Sequence, residues 1–349
     1  MEINQKIKRI GLAKIEVIAN EDVFDITVRK NHNFFANGIL VHNCAEISLK
    51  SMQFCNVTDV NVDDVETQAE LNARVKAGAF LGTLQAGYTN FHYLRPEWRE
   101  NTEADALIGV GMTGVGSGKV MKLDLVEAAN VVVAENKRVA ALIGINAAAR
   151  NCTIKPAGTT SLVLGCGSGV HAWHNDFYVR RMRVGKNEAL FTYMIKHFPM
   201  LIEDCVYKPH LEAVMRFPQK APAGSILRTE PALQLLERVK RLNLEWVGTG
   251  HITGKNTHNV SCTISLQPDE WESTGEWMWE NQDHYTGISV LPYDNGSYVQ
   301  APFTDCTEQE YEDLMQFMSD INLDEVIELD DNTALTDQVA CGGGLCLTA

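Results

Sequence analysis

Apolar and polar positions follow two different periods along this chain, and the two periods predict helices and strands in turn. Apolar residues three and four positions apart indicate helices, while short runs rich in β-branched residues indicate strands. The predicted helices cover residues 66–85, 124–148, 188–197, 231–246, 269–279 and 308–319, and the predicted strands cover 152–154, 259–266 and 288–291. A capping box of Thr307 and Glu310 would begin the last helix. This alternation predicts an α/β layer.

The first 43 residues have a different pattern, in which short apolar runs are separated by turns. Residues 23–28 and 34–41 are predicted to form short strands. Asn37-Gly38 is a dipeptide typical of the two-residue turn of a β-hairpin. We therefore expect a small all-β unit at this end of the chain.

His42, Asn43 and Cys44 carry the residue types needed to cut and rejoin a peptide chain. The amide of an asparagine can attack its own carbonyl carbon and cleave the chain after itself, with a preceding histidine as proton donor. A thiol immediately downstream can accept an acyl group and pass it to its own amino group. The tripeptide by itself is more often a simple turn.

The surrounding run resembles the C-terminal splicing block of inteins. The resemblance rests on Val23-Phe24-Asp25, His32-Asn33-Phe34 and residues 37–43. It implies that His42 and Asn43 perform C-terminal cleavage, that Asp25 and His32 activate the two junctions, and that Cys44 accepts the acyl group. Residues 1–43 contain no Cys or Ser with which an N-terminal intein block would begin. We therefore expect the C-terminal half of a split intein.

Downstream of residue 43, thiols and one carboxylate form a second candidate site. Cys44-Ala45-Glu46 is followed by Cys55, and Cys341 and Cys346 enclose three glycines and a leucine near the end of the chain. Cys44 and Cys55 could also be ordinary buried thiols. Cys341 and Cys346 could be half of a zinc site, although no second ligand pair with suitable spacing lies nearby. A dithiol on a glycine-rich segment instead favours thiol exchange with a disulfide.

These motifs resemble the active-site loop and the redox tail of ribonucleotide reductases. The resemblance implies that Cys44 carries a thiyl radical, that Glu46 is the base for the substrate 3′-hydroxyl, and that Cys55 is one thiol of the reducing pair. The second thiol of that pair would lie on another polypeptide. Cys341 and Cys346 would pass electrons from a thioredoxin-like reductant. This chain alone should therefore be catalytically silent.

The segment after the first predicted strand resembles the family's binding site for the substrate phosphates. Its small and hydroxylated residues would present backbone N–H groups to an anion, and they are Ala157, Gly158, Thr159, Thr160 and Ser161. The segment lacks the Gly-Lys-Ser/Thr ending of a Walker loop. Residues 107–118, LIGVGMTGVGSG, are rich in glycine but lack the acidic partner of a dinucleotide site, and the family implies a structural segment near the active site.

Several motifs are similar to those of the monomeric adenosylcobalamin-dependent ribonucleoside-triphosphate reductases. They are residues 260–264, 291–293 and 300–302 together with the tail, and the chain has no Tyr-Tyr pair for a radical-donating subunit. The family implies adenosylcobalamin as cofactor and ribonucleoside triphosphates as substrates. It also implies that residues 44–335 are the second half of a ten-stranded α/β barrel and that residues 336–349 form a flexible redox-active tail.

Two alternatives to this assignment stay open. In one, the reductase fragment assembles non-covalently with its other half and the intein remnant is inert. In the other, the protein is a diphosphate-type large subunit that needs a radical-donating subunit. In the preferred hypothesis, the partner is an N-terminal reductase fragment that carries the N-terminal intein half.

Charge and cysteine content limit the remaining possibilities. The formal net charge is −15, and six basic and five acidic side chains in the first 43 residues leave −16 for the other 306. Such an acidic chain is not expected to bind nucleic acid directly. Nine cysteines without a signal peptide indicate a reducing cytoplasm, and no apolar run is long enough to span a membrane. No metal site is predicted, because His171 and His174 fit a loop or a helix cap better.

Overall fold

The computed structural model describes residues 33–36, 39–42, 46–158, 160–293, 299–318 and 320–328, with the backbone alone for the stretch from 33 to 42. The strands are β1 (Asn33–Ala36), β2 (Ile39–His42), β3 (Asn56–Asn61), β4 (Ile108–Thr113), β5 (Phe177–Gly185), β6 (Ile202–Asp204), β7 (Glu212–Lys220), β8 (Cys262–Leu266), β9 (Ile288–Pro292) and β10 (Phe303–Asp305). The helices are α1 (Gln68–Ala86), α2 (Pro96–Asp105), α3 (Leu125–Ile143), α4 (Thr160–Leu164), α5 (Ala189–His197), α6 (Ala232–Leu242), α7 (Gly248–Gly250), α8 (Trp271–Glu280) and α9 (Glu308–Met318).

Five chain segments run parallel and in sequence order through the centre of the molecule. β3 pairs with β4 over six residue pairs. A parallel bridge joins Val110 of β4 to Cys152, and another joins Ile154 to Val260. β8, which follows directly, pairs with β9. Since helices connect the consecutive segments, the arrangement is a succession of βαβ units and confirms the predicted α/β layer.

Helices α1 and α3 cover the outer face of this layer. Thr67 and Glu70 form a capping box that begins α1, and the Asp124 side chain caps α3. Between the two helices, the buried Asn136 amide donates to the Thr83 hydroxyl over 2.9 Å. All six residues of β4 are buried, as expected for a parallel strand that is covered on both faces. The main hydrophobic core therefore lies between the layer and its helices.

The predicted helices are present, with differences at their ends. The helix predicted over residues 124–148 ends at Ile143, because Gly144 adopts a left-handed conformation with φ of 74°. The helix predicted over residues 231–246 continues from α6 through a π-helical turn, Asn243–Val247, into α7. Thr307 and Glu310 form the predicted capping box, with the Glu310 N–H donating to the Thr307 hydroxyl over 3.2 Å. The predicted strand 152–154 consists of two isolated bridges.

Strands β5, β6 and β7, which lie between α4 and α6 in the chain, form a four-stranded antiparallel sheet with β10, and the sequence pattern does not predict this sheet. Its order is β10-β5-β7-β6, and the long strands β5 and β7 pair over nine residues. Tyr193 and Met194 of α5 form a second hydrophobic core with Met215 of β7, and Leu314 and Phe317 of α9 pack against it. A parallel bridge between Trp173 and Leu227 joins the chain segments before β5 and after β7.

The hairpin predicted near the beginning of the chain is present in the backbone. β1 and β2 are antiparallel, with Phe34 opposite Val41 and Ala36 opposite Ile39. Asn37 and Gly38, which are predicted to form the turn between the two strands, lie outside the described residues. The five parallel segments are what half of a ten-stranded barrel would contain, and the complete barrel stays a prediction. Among the described residues, no helix combines the length and the apolar character needed to cross a membrane.

Candidate functional site

The backbone carbonyl of Glu46 binds the loop that follows it to the middle of the parallel layer. The Glu46 carbonyl accepts hydrogen bonds from the Asn259 N–H over 2.9 Å and from the Thr153 hydroxyl over 2.8 Å. The same hydroxyl lies 2.9 Å from the Asn259 carbonyl. Residues 46–55, here called the finger loop, therefore begin against the interior face of two neighbouring parallel segments.

Buried polar side chains hold the next part of the finger loop. The Ser48 N–H donates to Nδ1 of His258 over 3.3 Å, and Nε2 of that histidine donates to the Ile108 carbonyl over 3.0 Å. Burial lowers the pKa of His258 to about 3, so the ring is neutral at physiological pH. The Ser48 carbonyl accepts from the Arg150 guanidinium. Both bonds of Ser48 thus hold the loop on the edge of the layer.

Asp105, at the end of α2, binds the far side of the finger loop. It accepts from Nζ of Lys50 over 2.9 Å and from Nε2 of Gln53 over 2.8 Å. Burial would raise the pKa of Asp105, but the hydrogen bonds from Lys50 and Gln53, together with the charges of Lys50 and Arg150, outweigh burial and lower the pKa. Met52, between them, adopts a left-handed conformation with φ of 54°. The loop is therefore held in a conformation that non-glycine residues seldom adopt.

Cys55 is the last residue of the finger loop and directly precedes β3. The preceding Phe54 fixes its position, since the Phe54 N–H donates to the Thr102 hydroxyl over 3.1 Å and its ring stacks on Trp98 with centroids 4.7 Å apart. Burial raises the pKa of the Cys55 thiol to about 12. Cys55 is consequently an S–H group at physiological pH, suited to donating hydrogen rather than to attacking as a thiolate.

Glu46 and Cys55 occupy different electrostatic environments. Burial raises the pKa of the Glu46 carboxyl, while its own backbone N–H and the charge of Lys155 oppose the rise and Asp59 adds to it. A carboxylate with a raised pKa is a stronger base than one in water. The finger loop therefore has a base at its first residue and a protonated thiol at its last.

Two glycines of β4 leave space for the side chains of Ile47 and Asp59 on the interior face of the layer. A Cβ atom at Gly109 would lie 2.8 Å from the side chain of Ile47, and one at Gly111 would lie 2.7 Å from Oδ1 of Asp59. Neither distance is compatible with a side chain on β4. The glycine-rich run that resembles a dinucleotide motif is therefore a buried strand whose interior face is left free for the finger loop.

The predicted phosphate-binding segment lies at the carboxyl ends of the same parallel segments. Ala157 and Ser161 are buried, and the Ser161 N–H donates to the Ala157 carbonyl over 2.8 Å, with Thr160 beginning α4. Gly158 is also buried, whereas Thr159 lies outside the described residues. The Asn61 amide at the end of β3 donates to the Leu164 carbonyl over 3.5 Å. The segment thus borders the site, and its contact with phosphate stays a prediction.

The other predicted site residues cannot be placed. Asp25, His32, Asn43, Cys44, Cys341 and Cys346 lie outside the described residues, and His42 is described only as a backbone position in β2. His171 is a structural residue, because Nδ1 donates to the Ser168 carbonyl over 3.1 Å and Nε2 accepts from the Thr263 N–H over 3.1 Å. Within the described part of the chain, no cluster of three or more His, Cys, Asp or Glu residues could hold a metal ion.

Comparisons with known proteins point to one group of enzymes. No family model matches the chain. An adenosylcobalamin-dependent ribonucleoside-triphosphate reductase of Euglena gracilis is 25% identical over 319 residues, covering 87% of this chain and 41% of the relative. The enzyme of the same name from Lactobacillus acidophilus is 24% identical over 401 residues, covering 99% of this chain and 51% of the relative. The chain therefore spans about half the length of the relatives it matches.

A solved structure has a similar fold. The crystal structure of a B12-dependent (class II) ribonucleotide reductase matches with a TM-score of 0.68 at 21% identity, covering 82% of this chain and 43% of that chain. At this identity the match establishes the fold. The described α/β architecture is thus similar to part of a class II ribonucleotide reductase.

Sequence reasoning missed most of the residues that support Glu46. They are Asp59, Thr153, Lys155, His258 and Asn259, which come from three separate parallel segments. One sequence signal for Asp59 was available, because an acidic residue inside the strand-like run Asn56–Asn61 requires a polar environment. The other residues depend on which segments are neighbours, which the local pattern does not contain.

We predict that Thr153→Val loosens the finger loop without unfolding the protein. The substitution keeps the volume but removes the hydroxyl that binds the Glu46 carbonyl, which should cost about 1–2 kcal/mol of local stability. Hydrogen exchange of the peptide covering residues 46–55 should accelerate about tenfold. Thr192→Val, on the exposed face of α5, is the matched control and should leave this peptide unchanged. Unchanged exchange in Thr153→Val would show that this bond does not hold the loop.

Proposed function

We propose that residues 44–349 are the C-terminal half of an adenosylcobalamin-dependent ribonucleoside-triphosphate reductase. The observation that carries the proposal is the position of the finger loop, which begins with the base, ends with the thiol and is bound through its first carbonyl to two of the five parallel segments. The named relatives and the similar fold support the same assignment. Because the chain spans about half of those relatives, the reaction requires the other half of the protein.

The reaction assigns one role to each group of the finger loop. The thiyl radical of Cys44 takes the hydrogen atom from C3′ of the ribose, and Glu46 accepts the proton of the 3′-hydroxyl. The 2′-hydroxyl then leaves as water with a proton from a thiol. Cys55 and a second thiol on the missing half become a disulfide and supply two electrons and the hydrogen that replaces the hydroxyl at C2′. Glu46 then returns its proton to the 3′-oxygen, and Cys44 returns its hydrogen to C3′.

The environments of the two described groups suit these roles. Burial raises the pKa of Glu46, which makes its carboxylate a better proton acceptor. Burial also keeps Cys55 protonated, so that it can deliver hydrogen. The segment from Ala157 to Ser161 would bind the substrate phosphates through backbone N–H groups. Cys341 and Cys346 would reduce the disulfide by thiol exchange and be reduced in turn by a thioredoxin-like protein.

Adenosylcobalamin, when bound, supplies the radical that Cys44 carries. The described residues beside Glu46 do not fit a corrin ring, because Ile47 fills the space over Gly109 and Asp59 fills that over Gly111. We therefore assign the binding face of the cofactor to the rest of the protein. This chain would hold the base, the thiols and the substrate phosphates in fixed positions relative to one another.

We further propose that residues 1–43 are the C-terminal half of a split intein, which would splice this chain to an N-terminal reductase fragment. The β1–β2 hairpin supports this proposal, because its second strand ends at His42, the residue that directly precedes the cyclising asparagine in the sequence. Asp25 and His32 would activate the junctions. Splicing would then place Cys44 directly after the residues that precede it in the reductase.

The rejoined protein should form deoxynucleotides from ribonucleoside triphosphates with adenosylcobalamin and a dithiol, and without any iron protein. Glu46→Gln should lower this turnover by roughly 10²–10⁴-fold, because the base is lost while the fold is kept. The measurement is the rate of deoxynucleotide formation. Glu100→Gln, an exposed residue of α2, should have no effect. Equal rates for Glu46→Gln and the unchanged protein, or a requirement for an iron protein, would contradict the assignment.

Splicing should be visible as a change of mass. When the chain is mixed with its N-terminal fragment, we expect the release of residues 1–43 and a new peptide bond at Cys44. Asn43→Ala should abolish the release and leave binding to the fragment intact, since only the cyclising amide is lost. Intact-mass spectrometry distinguishes the outcomes. Release of residues 1–43 from Asn43→Ala at the normal rate would contradict the intein assignment, and a stable complex without release from the unchanged chain would favour non-covalent assembly.

A further inference from the structure

Asp59 lies on the interior face of β3, on the same side of the layer as the finger loop. Its neighbours in β3 point to the other side, where the Thr58 hydroxyl donates to the Gly78 carbonyl of α1 over 3.2 Å and Val60 contacts Gly78. Successive side chains of a strand alternate between its faces. The contact between Asp59 and Gly111 across the neighbouring strand confirms the interior position.

One oxygen of Asp59 is buried without a hydrogen-bond donor among the described residues. This atom is Oδ1, the oxygen that lies over Gly111. A buried carboxylate without a donor is costly unless a positive charge lies nearby. Burial raises the pKa of Asp59, and the positive charge of Lys155 opposes the rise. Asp59 is therefore a second interior carboxylate with Lys155 as its counter-charge.

Lys155 lies on the same parallel segment as Thr153, whose side chain binds the finger loop. It follows Thr153 by two residues on the same extended segment, and the Thr153 hydroxyl binds the Glu46 carbonyl over 2.8 Å. The backbone of Lys155 packs closely against Gly169, where a Cβ atom would lie 2.3 Å from the Lys155 carbonyl oxygen. Its charge lowers the pKa of both Glu46 and Asp59, against the effect of burial.

The remaining charged groups near the finger loop face other residues. Arg150 and His258 bind Ser48 rather than the Glu46 carboxyl, and His258 is neutral because burial lowers its pKa to about 3. Cys55 is a neutral thiol at physiological pH, with a pKa that burial raises to about 12. Asp59 and Lys155 are thus the described side chains whose charges act on Glu46.

We propose that Asp59 and Lys155 are positioning residues that hold Glu46 ready to accept a proton. This inference rests on the proposed function, in which Glu46 is the base. The positive charge of Lys155 favours the ionised form of Glu46, and the negative charge of Asp59 favours the protonated form that results when Glu46 accepts a proton. Neither side chain exchanges a proton with the substrate.

The two substitutions that remove these charges should have opposite effects. Asp59→Asn removes a negative charge and should lower the pKa of Glu46. Lys155→Met removes a positive charge and should raise it. At a pH near the midpoint, the ratio of ionised to protonated Glu46 should change by roughly three- to tenfold in each direction. If Asp59 and Lys155 only packed against their neighbours, the two substitutions would not shift the pKa of Glu46 in opposite directions.

The titration of Glu46 can be measured in this chain without substrate or cofactor. Carboxyl ¹³C NMR with labelled glutamate follows the resonance that disappears in Glu46→Gln. We expect the midpoint to move to lower pH in Asp59→Asn and to higher pH in Lys155→Met. An unchanged midpoint in both variants, or shifts in the same direction, would overturn the proposal.

Two variants control for indirect effects. Lys155→Arg keeps the charge and should restore the normal midpoint, which also covers the case in which Lys155→Met does not fold. Asp64→Asn removes the same charge from an exposed residue that pairs with Arg74 over 2.5 Å and should leave Glu46 unchanged. A shift of equal size in Asp64→Asn would overturn the proposal. Because the titration needs no turnover, failure of the rejoined protein to reduce nucleotides would contradict the proposed function separately.

Discussion

Gly109 and Gly111 leave space on the interior face of β4, and the arrangement of the candidate site depends on that space. Ile47 and Asp59 occupy the space that the glycines leave. The finger loop can then come close enough for its first carbonyl to be bound by Thr153 and Asn259. Close packing tolerates little change in volume, so a methyl group at Gly109 would displace Ile47 and with it the loop that carries Glu46.

Much of the fold follows from local sequence signals, and the part that does not has a physical reason. The helices were predictable because their apolar stripes and caps are local, as at Thr307 and Glu310. β4 was not predicted as a strand, because glycines have low strand propensity and are tolerated here only by what packs against them. β5 was missed because its central residues, Arg180, Arg181 and Arg183, interrupt the apolar alternation. Their partners, such as Glu203 for Arg181, lie on another strand.

The residues of the candidate site also differ in whether local sequence signals predict them. Glu46 and Cys55 could be predicted, because a short motif carries both the residue types and their spacing. Asp59, Thr153 and Lys155 could not, because their proximity to Glu46 results from the register of three parallel segments. The candidate base and thiol thus lie within one loop, whereas the side chains that bind this loop and the charges around it come from several parallel segments.

The central claim is that Cys44 serves two chemistries in succession, first as acyl acceptor and then as radical carrier. A hydroxyl can replace a thiol in the first role, whereas an oxygen-centred radical is too high in energy for the second. The most direct measurement is therefore deoxynucleotide formation by the spliced Cys44→Ser protein. The account predicts that this variant splices, more slowly, and that its product binds nucleotide but forms no deoxynucleotide. Deoxynucleotide formation by the spliced variant would contradict it.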